Sequence, residues 1–263
     1  MNTIKLYHDG PITTIWLNRP DKHNAINPEM MQELIAAFDQ LQSMEQVRVI
    51  ILRGIGRSFC AGADLAYMQQ VSAYDQEENR RDALVLASLF ETIYSCTKPV
   101  IALLHGAVFG GANGLAAASD IVLADLDTRF AFSEVKLGIT PATISPYVIR
   151  RCGEAASRDL MLTGRSFSAQ EARDYGLVNQ IFTAETMDNL LEVYCGNLLH
   201  AAPGAIAQCK QLIRDISSTT LATSEVMYDT AKRIARQRAS DEGQEGLQAF
   251  LEKRNPNWLI IKE

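Results

Sequence analysis

Residues 100–120 of this chain read VIALLHGAVFGGANGLAAASD, and this stretch decides how the rest of the sequence is interpreted. It opens with an apolar run typical of a strand or a buried helix, which breaks at Gly106. A run rich in alanine and glycine follows, and the pair Gly110 and Gly111 opens it. The first turn of a helix carries unpaired N–H groups and a partial positive charge, and glycines let a ligand approach the backbone closely. The segment is therefore a candidate backbone site for an anion or a developing oxyanion.

The same segment has a purely structural interpretation, because helices rich in alanine and glycine also occur where two elements pack at short range. The glycines at positions 106, 110, 111 and 114 do not follow the G-x-G-x-x-G spacing of dinucleotide-binding loops. No G-K-[ST] follows them either. The spacing therefore supports neither a dinucleotide site nor a nucleotide P-loop.

Composition indicates a globular protein. The 263 residues are enough for an α/β domain with an appended piece, and 47% of them are hydrophobic. The formal net charge of −6 argues against a nucleic-acid surface, which needs an excess of Lys and Arg. The N-terminus lacks a signal-peptide pattern, and no apolar run approaches the roughly 20 residues that span a bilayer. We therefore expect a cytoplasmic protein that does not enter membranes.

Cysteine and histidine usage favours neither disulfides nor metal. The five cysteines are scattered without a C-x-x-C pair, which indicates reduced thiols in a cytosol-like compartment. The four histidines show no metal-ligand spacing. We expect no metal and no tightly bound cofactor.

Strand and helix patterns alternate up to about residue 182, and the remainder is predicted to be helical. Asn27 followed by Pro28 is typical of a helix N-terminus, and Ser168 with Glu171 forms a capping box. The predicted strands are 12–17, 47–52, the strand at 100, 121–124, 130–132 and 177–182. The predicted helices are 28–43, 76–95, one opening at 111, 142–151, 154–163, one between 168 and 176, 185–199, 203–217, 219–237 and 240–251. This order predicts an α/β core with parallel strands and a helical extension.

Six blocks of sequence, taken in order, resemble the crotonase superfamily, also called the enoyl-CoA hydratase/isomerase family. They are LNRPDKHNAIN (17–27), RSFCAGADL (57–65), residues 101–121, FSEVKLGITP (132–141), LTGRSFSAQEARDYGLVNQI (162–181) and EGLQAFLEKRNPNW (245–258). The resemblance implies a crotonase-like spiral of repeated β-β-α units over 1–200 and a C-terminal all-helical oligomerisation region over 201–263. It also implies acyl-CoA thioester substrates, and a homo-oligomer that is a trimer or a dimer of trimers.

The implied reaction places negative charge on the thioester oxygen, which two backbone N–H groups can stabilise as an oxyanion hole. By the family pattern these donors are Ala61 and Gly111, and Glu134 is the catalytic carboxylate. Burial in an acyl pocket should raise the pKa of Glu134. Without the family context, Glu134 has the ordinary interpretation of a surface glutamate that pairs with Lys136.

The chain departs from the family pattern at one catalytic position. Gly114 stands where two-carboxylate hydratases have their first glutamate, so Glu134 must act alone or with polar helpers. Candidate helpers are Asn113, Thr140, Thr143 and Ser145. A single base suffices for a Δ3–Δ2-enoyl-CoA isomerase, but residues 132–151 look more like hydratases of the leucine and branched isoprenoid degradation routes, which act on 3-methylglutaconyl-CoA-type substrates; the family as a whole also implies fatty acid metabolism. We therefore favour a branched 2-enoyl-CoA hydratase and keep the isomerase as the alternative.

CoA binding is expected to use two loops and a basic residue near the C-terminus. The family regions that hold pantetheine and adenine correspond here to Lys22, Asn24, Ala25, Ala61, Ala63, Asp64 and Leu65. Lys253, or its neighbour Arg254, could meet a CoA phosphate from a neighbouring subunit. The ordinary interpretation of the three basic residues is surface charge.

Two other classes remain open. A hydrolase on the same scaffold would need a nucleophile such as Cys60 and a positioned histidine. An RNA-binding role, as in one methylglutaconyl-CoA hydratase relative, would need a basic face, which only the helix around Lys232, Arg233, Arg236 and Arg238 offers.

Overall fold

The computed structural model of the chain describes residues 1–220 and 222–259, and these form two compact units. The first unit is Met1–Leu191, and the second begins at Glu192. Its strands are β1 (Ile4–Asp9), β2 (Ile12–Leu17), β3 (Val49–Gly54), β4 (Val100–Leu104), β5 (Ala107–Phe109), β6 (Ile121–Asp125), β7 (Arg129–Ala131), β8 (Ser166–Ser168) and β9 (Gln180–Phe182). Its helices are α1 (Pro28–Ser43), α2 (Leu65–Val71), α3 (Gln76–Ser95), α4 (Gly111–Ala118), α5 (Ser145–Thr163), α6 (Ala169–Asp174) and the start of α7 (Met187–His200).

The first unit is built on a six-stranded sheet in the order β1-β2-β3-β4-β6-β9. The β1–β2 pair is antiparallel, and the other pairs are parallel. All five residues of β4 are buried, which is why this strand is a continuous apolar run rather than an alternating one. A second sheet of three strands, β5-β7-β8, lies in the same unit. The predicted α/β core with parallel strands is confirmed.

Two predicted helix N-termini are confirmed at the level of single hydrogen bonds. The Asn27 side chain accepts from the Met30 N–H at 2.9 Å. The Ser168 hydroxyl accepts from the Glu171 N–H at 3.2 Å, and the Glu171 carboxylate accepts from the Ser168 N–H at 2.9 Å. These caps satisfy N–H groups that the first helical turn leaves unpaired.

Several elements differ from the sequence prediction. The first of the two helices predicted at 142–151 and 154–163 begins later than expected, at Ser145, but the predicted break between them is confirmed, because α5 is non-helical at Gly153, where φ is 75°. β1, β5, β8 and α2 were not predicted, since each is short or lies at a sheet edge with polar side chains. The strand predicted at 130–132 is β7, and Glu134 lies beyond it in a 3₁₀ turn, Ser133–Leu137.

The described part of the second unit is helical, as the sequence predicts. It contains the end of α7 together with α8 (Pro203–Ser218), α9 (Thr223–Ala239) and α10 (Asp241–Glu252). The predicted domain 201–263 includes residues 221 and 260–263, which lie outside the described residues.

None of the helices in the described residues combines the length and the apolarity needed to cross a bilayer.

Candidate active site

Two loops, which follow β2 and β3, pair with each other through a single bridge. Ile26 and Ala63 form this parallel bridge. The Ile26 N–H donates to the Gly62 carbonyl at 2.7 Å, and the Asp64 N–H donates to the Ile26 carbonyl at 2.9 Å. In an extended segment, successive residues direct their backbone groups to opposite sides. The N–H of Ala63 therefore faces away from Ile26.

This pairing corrects the predicted oxyanion donor on the first loop. The Ala61 N–H donates to the His23 carbonyl at 3.0 Å, so it is already used within the protein. Within residues 1–220 and 222–259, the Ala63 N–H has no hydrogen-bond partner. The prediction for Ala61 is therefore wrong in this structure, and the available donor is Ala63, two residues further along the same loop.

The second predicted donor is Gly111, the first residue of α4. The Gly110 N–H donates to the Ala131 carbonyl at 2.9 Å, whereas the Gly111 N–H has no partner among the described residues. The loop that carries Ala63 and the segment that leads to Gly111 are held together, because the Phe109 N–H donates to the Cys60 carbonyl at 3.2 Å. Gly62, at φ 100°, allows this approach, since an added Cβ would lie 3.1 Å from the Phe109 carbonyl oxygen.

Ala63 and Gly111 line one small cavity together with Glu134. Its volume is about 160 Å³. Apolar side chains that include Ile26, Leu86 and Ile139 form much of its wall. The cavity therefore combines two unpaired amide donors, one carboxylate and a largely apolar surface, which is an arrangement suited to stabilising negative charge away from water.

Glu134 is held beside the glycine pair, and its carboxyl group is largely desolvated. Its Oε1 lies 3.2 Å from the position that a Cβ on Gly110 would take. Its Oε2 is buried and has no hydrogen-bond partner in the described part of the chain. Burial raises the pKa of Glu134 above its ordinary value, as a general base working near neutral pH requires. The ordinary interpretation, a surface ion pair with Lys136, is not what the structure contains.

Apolar side chains fill the space beside Gly114, where the family pattern has a first glutamate. A Cβ on Gly114 would lie 2.3 Å from Ile144 Cγ2 and 2.7 Å from Phe90 Cε1. Ile144 is 1% exposed and Phe90 is 0% exposed, so neither can move aside into solvent. The missing carboxylate is therefore replaced by packed hydrocarbon and not by a gap that water could fill.

The four candidate helpers fall into two groups. The Asn113 amide donates to the Gly110 and Ala131 carbonyls at 3.2 and 2.9 Å, and the Ser145 hydroxyl donates to the Ala142 carbonyl at 2.8 Å. Both of these side chains therefore shape the backbone around the site. Thr140 and Thr143 line the cavity itself and are the two hydroxyl residues there.

A larger cavity of about 600 Å³ adjoins the first, since Ala63 lines both. The residues predicted to bind CoA that line it are Lys22, Ala25, Ala61, Ala63, Asp64 and Leu65. Asn24 does not line it. Its side chain is buried and donates to the Ile55 and Ser58 carbonyls, both at 2.9 Å. The prediction that Asn24 contacts CoA is therefore replaced by a role in shaping the loop.

Lys253 belongs to the second unit, where it ends α10 in a left-handed conformation with φ 55°. No cluster of three His, Cys, Asp or Glu side chains that could hold a metal ion occurs within residues 1–220 and 222–259.

The hydrolase alternative gains no support from Cys60. The residue is 0% exposed, and burial raises the pKa of its thiol to about 12, so it is a protonated and inaccessible sulfur. His23 contacts the Ser58 hydroxyl at 3.3 Å and not Cys60. On the basic helix, Arg233 is paired with Asp215 and Asp229, which reduces the positive charge that an RNA would meet.

Three structural features around the site were missed by reasoning from the sequence: Ala63 as the available donor, the packing of Ile144 and Phe90 against Gly114, and the ion pair of Arg19 with Asp64 at 2.7 Å. The sequence offered one signal for the ion pair, namely the opposite charges of Arg19 and Asp64, which lie in the blocks 17–27 and 57–65. The other two features depend on contacts between segments that are distant in sequence.

Comparison with known proteins shows the family of the chain and its fold. Residues 8–259 match the family model described as enoyl-CoA hydratase/isomerase. The chain is similar to the crystal structure of an enoyl-CoA hydratase from Shewanella pealeana, with 39% identity, a TM-score of 0.94 and coverage of 97% of this chain and 96% of that one. Pseudomonas aeruginosa AtuE gives 35% identity and a TM-score of 0.92 over 98% of this chain and all of that one. A carnitinyl-CoA dehydratase from Proteus mirabilis is 34% identical over 95% of each chain. These likenesses confirm the crotonase-like fold, and the chain belongs to the enoyl-CoA hydratase/isomerase family of the crotonase superfamily.

Proposed function

We propose that this protein adds water to a branched 2-enoyl-CoA, of the 3-methylglutaconyl-CoA type, through an enolate of the thioester. One observation carries the proposal: the Ala63 and Gly111 amides, which have no partner among the described residues, share a small cavity with Glu134, a buried carboxylate whose Oε2 has no partner there either. CoA would occupy the larger cavity, and the acyl group would occupy the smaller one. The thioester carbonyl would then lie near Ala63, where the two cavities meet.

The reaction balances with a single carboxylate. Ionised Glu134 accepts a proton from water as the water oxygen bonds to C3, and the π electrons of the C2=C3 bond move onto the thioester oxygen. The Ala63 and Gly111 N–H groups donate to that oxygen while it carries negative charge. Protonated Glu134 then gives the proton to C2 as the carbonyl re-forms. The product is a 3-hydroxyacyl-CoA, and Glu134 returns to its ionised state.

The packing at Gly114 favours keeping a second candidate, the Δ3–Δ2-enoyl-CoA isomerase. Ile144, which lines the cavity, and Phe90 fill the space beside Gly114, where a second carboxylate would help to hold water. An isomerase needs no water, because Glu134 would take a proton from C4 and return it to C2 through the same enolate. Thr140 and Thr143, which line the cavity, are the groups that could orient a water molecule for hydration.

The wider assignments are proposals of the same kind. The likeness of residues 132–151 to branched enoyl-CoA hydratases supports a place in leucine or branched isoprenoid degradation. Two exposed apolar residues of α10, Phe250 at 81% and Leu251 at 79%, support a homo-oligomer, either a trimer or a dimer of trimers. The CoA-phosphate role of Lys253 and the cytoplasmic location stay predictions.

A substrate panel tests the reaction. Crotonyl-CoA, 3-methylglutaconyl-CoA and a 3-enoyl-CoA are each assayed for 3-hydroxyacyl-CoA formation and for a shift of the double bond. We expect hydration, fastest with the branched substrate, and a fall in kcat of about 10²- to 10⁴-fold in Glu134→Gln. Glu154→Gln, at an exposed surface glutamate, is the matched control and should keep full activity. A double-bond shift without hydration would favour the isomerase, and full activity in a folded Glu134→Gln protein would overturn both.

A further inference from the structure

The guanidinium group of Arg19 connects the two loops that follow β2 and β3 and that pair through Ile26 and Ala63. Its Nη1 donates to the Ala25 carbonyl at 2.6 Å, and its Nη2 donates to Asp64 Oδ2 at 2.7 Å. The two side chains of the ion pair are only 18% and 10% exposed. A planar guanidinium can hold two acceptors at fixed relative positions, which an ammonium group cannot do.

The two anchor points of Arg19 flank the bridge that orients Ala63. Ala25 directly precedes Ile26 on one loop, and Asp64 directly follows Ala63 on the other. Asp64 is itself fixed, because its Oδ1 accepts from the Ala66 N–H at 2.9 Å at the start of α2. The Arg19 guanidinium also holds the pKa of the Asp64 carboxyl below its usual value, so the pair stays charged near neutral pH.

We propose that Arg19 is a positioning residue for catalysis: by holding Ala25 to Asp64 it fixes the direction of the Ala63 N–H at the oxyanion site. Arg19 lines neither cavity, so it acts through the bridge and not on the substrate. The inference rests on the proposed function, because it needs the Ala63 N–H to meet a charged thioester oxygen. Removing one oxyanion donor outright lowers kcat about 10²- to 10³-fold, so a misdirected donor should lower it about 10- to 100-fold.

The test compares two ligands that differ in charge at the thioester oxygen. Acetoacetyl-CoA has an acidic C2 proton, and its enolate places negative charge on that oxygen, whereas butyryl-CoA stays neutral there. The ratio of their dissociation constants, measured by calorimetry, therefore reports on the oxyanion site and not on CoA binding in general. In Arg19→Met we expect the preference for acetoacetyl-CoA to fall about tenfold or more, with kcat lowered and KM nearly unchanged.

Two further variants separate positioning from folding. Arg19→Lys keeps the charge but not the two-pronged geometry, and should recover only part of the ligand preference. Arg151→Met is the matched control, because Arg151 also bridges two segments, donating to the Leu177 and Ser119 carbonyls at 2.9 and 2.8 Å, and lines neither cavity. It should lower Tm without changing the ratio. Where Arg19→Met does not fold, the ratio in Arg19→Lys decides.

The outcomes distinguish the two levels of the proposal. An unchanged ratio in a folded Arg19 variant, with a wild type that prefers acetoacetyl-CoA, would overturn the role of Arg19 and leave the proposed reaction intact. A wild type with no preference for acetoacetyl-CoA, and with no loss of turnover in Glu134→Gln, would overturn the proposed function itself.

Discussion

Gly114→Ala should destabilise the protein, although alanine is normally the better helix residue. A Cβ at this position would lie 2.3 Å from Ile144 Cγ2 and 2.7 and 2.8 Å from two ring atoms of Phe90. Such contacts are far inside the roughly 3.5–4.0 Å at which carbon atoms attract each other. Overpacking a buried site costs about 1–3 kcal/mol, and three close contacts place this one in the upper half of that range. Helix propensity returns about 1 kcal/mol, so we expect a net loss of about 1–2 kcal/mol in the free energy of unfolding.

Urea unfolding, followed by circular dichroism at one fixed protein concentration, measures this loss, since an oligomer's stability depends on concentration. Gly196→Ala is the matched control, because Gly196 lies within α7 and no atom of residues 1–220 or 222–259 lies within 4 Å of its Cβ position. It should be neutral or gain up to about 1 kcal/mol. In an Ile144→Ala background the close methyl group is gone, so the cost of Gly114→Ala should shrink by about 0.5 kcal/mol or more. A Gly114→Ala protein as stable as wild type, or an unchanged cost in the Ile144→Ala background, would show that contacts with Ile144 and Phe90 do not limit the residue at position 114.

Two further predictions concern the carboxylate and its neighbour. Folding raises the pKa of Glu134 above its ordinary value of 4.5, so wild type loses stability as the pH rises from 4.5 through the raised pKa. Glu134→Gln cannot ionise and does not lose this stability. The variant should therefore melt at a higher temperature than wild type at about pH 7–8, but not at about pH 4. A difference in Tm that does not vary with pH would contradict this. Gly110→Ala should lower kcat about tenfold or more, because Gly110 has φ 52° and its Cβ would lie 3.2 Å from Glu134 Oε1. Gly10→Ala is the control, because Gly10 has φ 54° and no atom of the described residues lies within 4 Å of its Cβ position. This variant should have the backbone strain alone and keep its kcat. Equal losses of kcat in the two variants would contradict a role for the contact with the carboxylate.

Much of the fold could be predicted because the relevant signals are local. Asn27 and Ser168 mark helix starts through hydrogen bonds that span three residues, and the apolar run of β4 reflects burial on both faces. Short elements such as β5 were missed, because three residues carry no periodic pattern and depend on a partner strand, here β7. The break between the two helical halves of α5 was predicted correctly, and Gly153 occupies it with a φ of 75° that suits glycine.

For the site, motif order and residue type, which are local properties of a sequence, were enough to predict the family, the glycine pair at the start of α4 and the single carboxylate Glu134. Which backbone amides are available could be established only from the folded chain. An N–H is available only if no other group of the protein accepts from it. In loop 61–64 the accepting carbonyls belong to His23 and Ile26, which lie nearly 40 residues away in the sequence. The packing of Phe90 and Ile144 against Gly114 is likewise a contact between distant segments. The sequence shows that the first glutamate is absent at Gly114, but the side chains that fill its space are determined by the packing of the folded chain.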